Sequence, residues 1–163
     1  MTELEERFRT LSKQLHPDRF AKAPPRERLA SVQKTTELND AWRVLRDPVK
    51  RAEYIAKLEG FDVADEKGSV KADPALLMEM MEKNEQLAEA RVAGDAKTII
   101  ALEEAVRAAR TLTLEEIHEL FTLYDAGDKS VLRKIAQALV ALRYHARFLE
   151  QVEAWQEGKG VEL

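Results

Sequence analysis

Leu4, Phe8, Leu11 and Leu15 recur at spacings of four, three and four, the rhythm of one apolar stripe on an α-helix. Arg7, Arg9 and Lys13 fall off that stripe and face solvent. Pro17 ends this helix, because proline disfavours helical geometry in the preceding residue and has no N–H to donate. After the loop DRFAKAPPRE, a second apolar series turns Leu29, Val32, Leu38, Ala41, Trp42 and Leu45 inward on a helix from about Pro25 to Leu45. Asp47-Pro48 reads as an N-cap followed by proline at the first helical position, which opens a short third helix to about Leu58. Gly60 is its stop signal.

The stretch FDVADEKGSVKA is polar, contains a glycine and lacks helical periodicity, so it reads as a linker. Asp73-Pro74 repeats the cap-plus-proline start, and a helix follows to about Val92. Gly94-Asp95 breaks and restarts the chain. The next helix carries Ile99, Leu102, Val106, Ala109, Ile117, Leu120 and Tyr124 and ends near DAGDKS. The β-branched threonines of TLTL weaken it and predict a kink there. A last helix, about Lys129 to Gln156, presents Leu132, Ile135, Leu139, Leu142, Ala146, Leu149 and Val152. Three long helices with short turns predict an antiparallel three-helix bundle. The expected architecture is all-α. A helical hairpin with a short third helix occupies residues 1–60, a linker 61–73, and the bundle 74–163.

Composition agrees with that picture and removes several kinds of chemistry. Gly (6) and Pro (5) are scarce across 163 residues, as a helical protein requires. With no cysteine, disulfides, Cys-ligated zinc, thiolate-held iron–sulfur clusters and a cysteine nucleophile are all excluded. The chain has no apolar run near the length of a bilayer span and opens on acidic residues rather than a leader, so a cytoplasmic location without membrane contact is expected. Charge is uneven. Residues 1–60 hold 13 Lys+Arg and 10 Asp+Glu, a net of +3, whereas residues 61–163 hold 13 and 20, a net of −7. That suggests two units with different partners. It falls short of the basic balance of a nucleic-acid-binding domain, so no nucleic-acid partner is expected.

Three histidines offer candidate chemistry. His16 sits just before Pro17 and Asp18 at a helix end, while His118 and His145 lie in the second half. No HxxxH spacing joins any of them, so no metal site is expected. No Gly-rich phosphate loop or nucleophile–base arrangement accompanies His16, and no catalytic residue or cofactor is expected. On its own, His-Pro-Asp is a helix terminator and turn.

The helix after Asp73 carries a different signal. Taking Leu77 as zero at about 100° per residue, Leu76, Met80, Asn84, Leu87 and Ala88 fall between about −100° and +20°, the stripe a bundle core needs. Met81 falls near about +40° and Met78 near about +100°, beside Glu85, Glu89 and Glu82 between about +80° and +140°. More apolar surface is present than one core face requires, and it is methionine-rich and edged with acids. Either Met78 packs on a neighbouring helix or loop, or this face binds a partner, for which adaptable methionines and a rim selecting basic groups are suited.

The order of features around His16 resembles the J-domain of DnaJ-type co-chaperones: an apolar helix with basic outer residues, His16-Pro17-Asp18, a proline-containing loop and a second amphipathic helix. ELNDAWRVLRDPVKRAEYIAKLEGF is similar to the Asn/Ala/aromatic/Leu series, then Asp-Pro, Lys-Arg and Tyr, of later J-domain helices. This resemblance covers residues 3–61. RAEYIAKLEGFDV followed by a short linker and LLMEMMEKNEQLAEA resembles HscB, the J-protein family of iron–sulfur cluster assembly, and extends the likeness over nearly the whole chain.

The resemblance implies a co-chaperone that stimulates a DnaK- or HscA-type chaperone ATPase and delivers the scaffold protein IscU to it, the alternative being a J-domain co-chaperone whose helical bundle binds a different client. His16, Pro17 and Asp18 would touch the chaperone, with Arg7, Arg9, Lys13 and Arg19 steering the encounter. A stiffened turn lets Asp18 pair bidentately with an arginine of the partner. The implied scaffold-binding set is Leu77, Met78, Met81, Glu82, Glu85 and Glu89, with Tyr144 standing where the family has an aromatic. Two departures follow. The family's opening helix before the hairpin is not represented ahead of Leu4, so a less stable J-domain is expected. The cysteine-rich module of some eukaryotic relatives is also missing, which resembles the simpler bacterial type.

Overall fold

The computed structural model describes residues 2–63 and 70–158, and every regular element among them is helical. The chain divides into two compact units, Met1–Tyr54 and Ile55–Leu163. The division falls inside the third helix.

The first unit is built on α1 (Glu3–Leu15) and α2 (Pro25–Leu45), with the opening turns of α3 (Pro48–Leu58). Thr2 starts α1 through a capping box, accepting from the Glu5 N–H at 3.4 Å while its own N–H donates to the Glu5 carboxylate at 2.9 Å. Asp47 caps α3, accepting from the N–H groups of Val49 and Lys50 at 2.9 and 3.1 Å. The seam between α1 and α2 is marked by Phe8 and Trp42, whose rings stack with centroids 4.5 Å apart and 13° between planes.

The inward face expected for α2 is corrected here. Leu29, Val32 and Leu45 are 60%, 49% and 36% exposed, and Ala41 is exposed as well; only Leu38 and Trp42 are half-buried. The first helix's Leu11 is likewise exposed. Among the described residues of this unit only Ser31 and Ala52 are buried. The cause is geometric, since two helices meeting along one seam cover a narrow strip of each, and an apolar stripe wider than the seam stays wet.

The second unit contains α4 (Pro74–Ala93), α5 (Ala96–Asp125) and α6 (Leu132–Gln156). Asp73 caps α4 by accepting from the Ala75 N–H at 2.8 Å. Gly94 takes a left-handed conformation (φ 66°) that no side-chain-bearing residue adopts cheaply, and Asp95 at once caps α5 by accepting from the Thr98 N–H and hydroxyl at 3.1 and 2.6 Å. So tight a turn sets α5 antiparallel to α4. Glu103 near the start of α5 accepts from Gln156 at the end of α6, at 2.9 Å, so α6 runs antiparallel to α5. A 3₁₀ turn at Lys129–Val131 precedes α6.

Three sequence expectations change in this unit. The helix expected to kink at TLTL is continuous from Ala96 to Asp125, with the Thr111 and Thr113 hydroxyls turned back onto the carbonyls of Arg107 and Ala109 at 3.1 and 2.9 Å. The expected linker is structured where it begins: Phe61 and Gly60 N–H groups close the end of α3 on Ala56 and Lys57, Val63 is buried, and its carbonyl accepts from Arg143. Residues 64–69 of that linker lie outside the described residues. On α4 the buried arc is rotated away from Leu77, since Ala90 is buried and Ala88 exposed.

Met80, Leu87, Ala90, Ile99, Leu102, Val106, Phe148 and Val152 form the core between the three helices. Phe148, 1% exposed, was not among the inward positions expected on α6, whereas Leu149 and Ala146 are only half-buried. That helix is buried on a face that shifts along its length. Its first half packs Leu132, Ile135 and Leu139, and its second half packs Phe148 and Val152.

Candidate functional site

The first candidate surface is the turn after α1. Pro17–Phe20 form a single 3₁₀ turn, capped by His16, whose Nδ1 accepts from the Asp18 N–H at 3.3 Å. The same Nδ1 lies 3.5 Å from the Asp18 carboxylate. The Asp18 side chain is 90% exposed. Arg19 folds back to donate to the Lys13 carbonyl at 3.3 Å, tying the turn to the last turn of α1.

Ending α1 abruptly leaves carbonyls without helical partners. Two hydroxyls from α2 supply them: Ser31 Oγ and Thr35 Oγ1 both donate to the Leu15 carbonyl, at 2.7 and 3.0 Å. Ser31 is 3% exposed. These residues hold the turn against the second helix, and sequence reasoning missed them. Their signal was a pair of hydroxyls one helical turn apart on α2.

Lys13, His16 and Arg19 line one shallow depression with Ser12, so three of the expected chaperone-binding residues converge. Arg9 lies seven residues before His16 and shares its face of α1. Arg7 does not join them. It sits about half a turn round the helix from His16 and pairs with Glu3 at 2.7 Å.

The second candidate surface is the outer face of α4. Met78 and Met81 are 73% and 65% exposed, and Leu77 is 36% exposed at their edge. Of the two alternatives for Met78, packing on a neighbour is thereby set aside. Glu82, Glu85 and Glu89 are exposed along the same helix. Tyr144 of α6 is half-buried, packs on the core cluster and shares with Leu77 the lining of one cleft. The expected set is therefore contiguous, with Tyr144 at one end and the glutamates at the other.

The remaining histidines do different things. His118 is exposed. His145 is 4% exposed with its Nδ1 unpartnered, and desolvation, the largest influence, pushes its pKa below the usual 6.5, with Glu79 opposing. Among the described residues no group of three or more His, Cys, Asp or Glu side chains could hold a metal ion, and no helix is long and apolar enough to cross a membrane.

A two-helix hairpin presenting His-Pro-Asp, together with a three-helix bundle, defines the class of J-domain co-chaperones, and family comparisons agree. Residues 1–54 match the DnaJ domain, and residues 72–153 match the HSCB C-terminal oligomerisation domain. Among solved structures the chain is similar to the chaperone HscB from Vibrio cholerae, at 31% identity over 96% of this chain and 88% of that one, with a TM-score of 0.74. It also shares its fold with human co-chaperone HscB, at 24% identity over 96% of this chain and 76% of that one, TM-score 0.77. The chain belongs to the HscB family, co-chaperones of iron–sulfur cluster assembly that work with an Hsp70-type chaperone.

Proposed function

We propose that this protein is an adaptor with two reading surfaces and no chemistry of its own. Residues 1–60 act as the J-domain that stimulates ATP hydrolysis by a DnaK- or HscA-type chaperone. Residues 74–163 act as the bundle that carries an IscU-type scaffold to it. His16, Pro17 and Asp18 form the contact with the chaperone, and Arg9, Lys13 and Arg19 steer the approach, with Arg7 contributing only long-range charge. Leu77, Met78, Met81 and Tyr144 are the apolar anchors for the scaffold, and Glu82, Glu85 and Glu89 select its orientation.

The observation that carries this reading is the pairing of an outward Asp18 carboxylate with a turn closed from inside by His16, Ser31 and Thr35. A carboxylate offered in one geometry loses little freedom when an arginine of the partner closes on it. His16 thereby serves as a cap, and the chaperone keeps the catalytic work.

A single-turnover ATPase assay with the chaperone, run with and without scaffold, tests the reading. Asp18→Asn should abolish stimulation while scaffold binding persists; retained stimulation would refute the assignment. Met78→Ala with Met81→Ala should weaken scaffold binding by about 2–4 kcal/mol in total, as buried anchors do. An unchanged affinity would move the scaffold site elsewhere.

A further inference from the structure

We infer that the scaffold-binding face of α4 does not end at the glutamates but runs on to Ala88 and Val92, giving the scaffold a second apolar anchor at the far end of the helix. The inference rests on the proposed role of Met78 and Met81 and extends it. Val92 is 93% exposed, more than any other large hydrophobic residue among those described. With Leu77 as zero, Val92 falls at about +60° and Ala88 at about +20°, so both share the arc of Met81 and Glu85. Met81, Glu85, Ala88 and Val92 follow one another at spacings of four, three and four, which lines them up along one side of the helix. From Met78 to Val92 that side is about 21 Å long. A lone exposed valine is ordinary on a protein surface, but this one closes a row that already holds two exposed methionines. Helix propensity does not explain it, since a β-branched residue is a poorer helix former than alanine.

Along the helix the row reads apolar, acidic, apolar. Met78 and Met81 stand at one end, Glu82, Glu85 and Glu89 are exposed in the middle, and Val92 stands at the other end. Both cations of α4 are engaged elsewhere: Lys83 lies 3.5 Å from Glu79, and Arg91 donates to the Gln151 carbonyl of α6. Glu85 and Glu89, four residues apart, therefore repel each other within the helix, and a cation from outside relieves that repulsion. The strip of the IscU-type scaffold that fits this row is apolar, basic, apolar. One apolar anchor lets a docked protein pivot about it. A second anchor beyond the acids fixes its direction along α4. Valine suits that task, because its stiff side chain has little rotamer freedom to lose when a partner covers it.

The test uses the full chain and a fluorescently labelled IscU-type scaffold protein, with affinities from anisotropy titration. Val92→Gln places a good helix former at an exposed position without changing charge, so helical content and Trp155 emission should stay as they are. Affinity should fall about fivefold, the effect of losing most of one buried valine. Val92→Met, which returns an apolar side chain, should bind within about twofold of wild type. The Val92→Gln loss should persist at high salt, whereas the loss from Glu85→Gln should shrink as salt screens the charge. Wild-type affinity in Val92→Gln, with Met78→Ala/Met81→Ala still weakening binding, overturns the second anchor and leaves the first in place. A loss in Val92→Met as large as in Val92→Gln also overturns it, because apolar burial is then not what Val92 supplies. If the methionine variant binds normally, the reading of the face falls, and its extension with it.

Discussion

The two units of this molecule hold themselves together by different means. In the second, α6 alone buries ten residues, and Phe148, Leu87, Ile99 and Val106 are sealed from solvent. In the first, α1 buries none and α2 only Ser31. One unit has a core with an exposed methionine face laid outside it, whereas the other is close to being all surface. The bundle can spare Met78 and Met81 for a partner because its core is complete without them. The hairpin has little core to spare, so hydrogen bonds, caps and one aromatic stack fix the shape of its turn.

The chain's two tryptophans separate these units experimentally, since Trp42 stacks on Phe8 and Trp155 packs on the bundle core. Variants keeping one tryptophan report on one unit at a time. Phe148→Ala should produce the largest effect, destabilising the Trp155-monitored denaturant transition by about 3–5 kcal/mol, as core phenylalanine truncations do. The Trp42-monitored transition should not move. A shift of both by the same amount would show that the units unfold as one and erase the contrast. Phe8→Ala should cost the hairpin less, about 2 kcal/mol, because the ring is only half-buried and contributes chiefly through its stack. The hairpin should nonetheless lose a larger share of its stability.

Element boundaries were legible in the sequence wherever a backbone rule set them. Pro17, Asp47-Pro48, Asp73-Pro74 and Gly94-Asp95 each stop or start a helix within a residue of where local chemistry puts it. The turn at His16 and the methionine face on α4 could also be read, because both are local patterns on one element. Burial was less legible. Leu29 and Val32 look like core in an amphipathic plot, yet only the number of layers above them decides whether they are covered. Phe148 fell off the stripe drawn for α6 because the buried face of that helix turns along its length, which a fixed period cannot express. Ser31 and Thr35 show in the sequence only as a hydroxyl pair one turn apart, because their partner is a carbonyl sixteen to twenty residues away.

Those two hydroxyls provide a finer probe of the hairpin. Ser31→Ala leaves the Leu15 carbonyl with Thr35 alone and should cost about 1 kcal/mol in the Trp42-monitored transition. Its effect on chaperone stimulation should exceed that of an exposed α2 substitution of equal stability cost, such as one at Leu29. Equal stimulation by the two variants would mean that the turn keeps its shape without the Ser31 bond.

The smallest effect concerns His145, whose buried Nδ1 the bundle core leaves without a partner. Burial lowers the pKa of His145 below its ordinary 6.5, so at intermediate pH the unfolded chain binds a proton that the folded bundle refuses. Stability then rises with pH wherever the unfolded state holds more protons. The contribution of neutral His145 is fully present above about pH 6.5 and is lost as pH falls from there toward the folded-state value. Glu59, held low by the Tyr124 hydroxyl, and Glu103, held low by Arg107, behave differently. Their contributions persist down to about pH 4.5 and disappear only below it. Between pH 7 and 5 the histidine therefore dominates, and the Trp155-monitored melting temperature should fall modestly while the Trp42-monitored one stays level. His145→Leu removes both the titration and the unpartnered Nδ1, so the slope should vanish without loss of stability at pH 7. A slope that survives this substitution would place the sensitive group elsewhere in the bundle, and a bundle made much weaker by leucine would mean that the imidazole is satisfied after all.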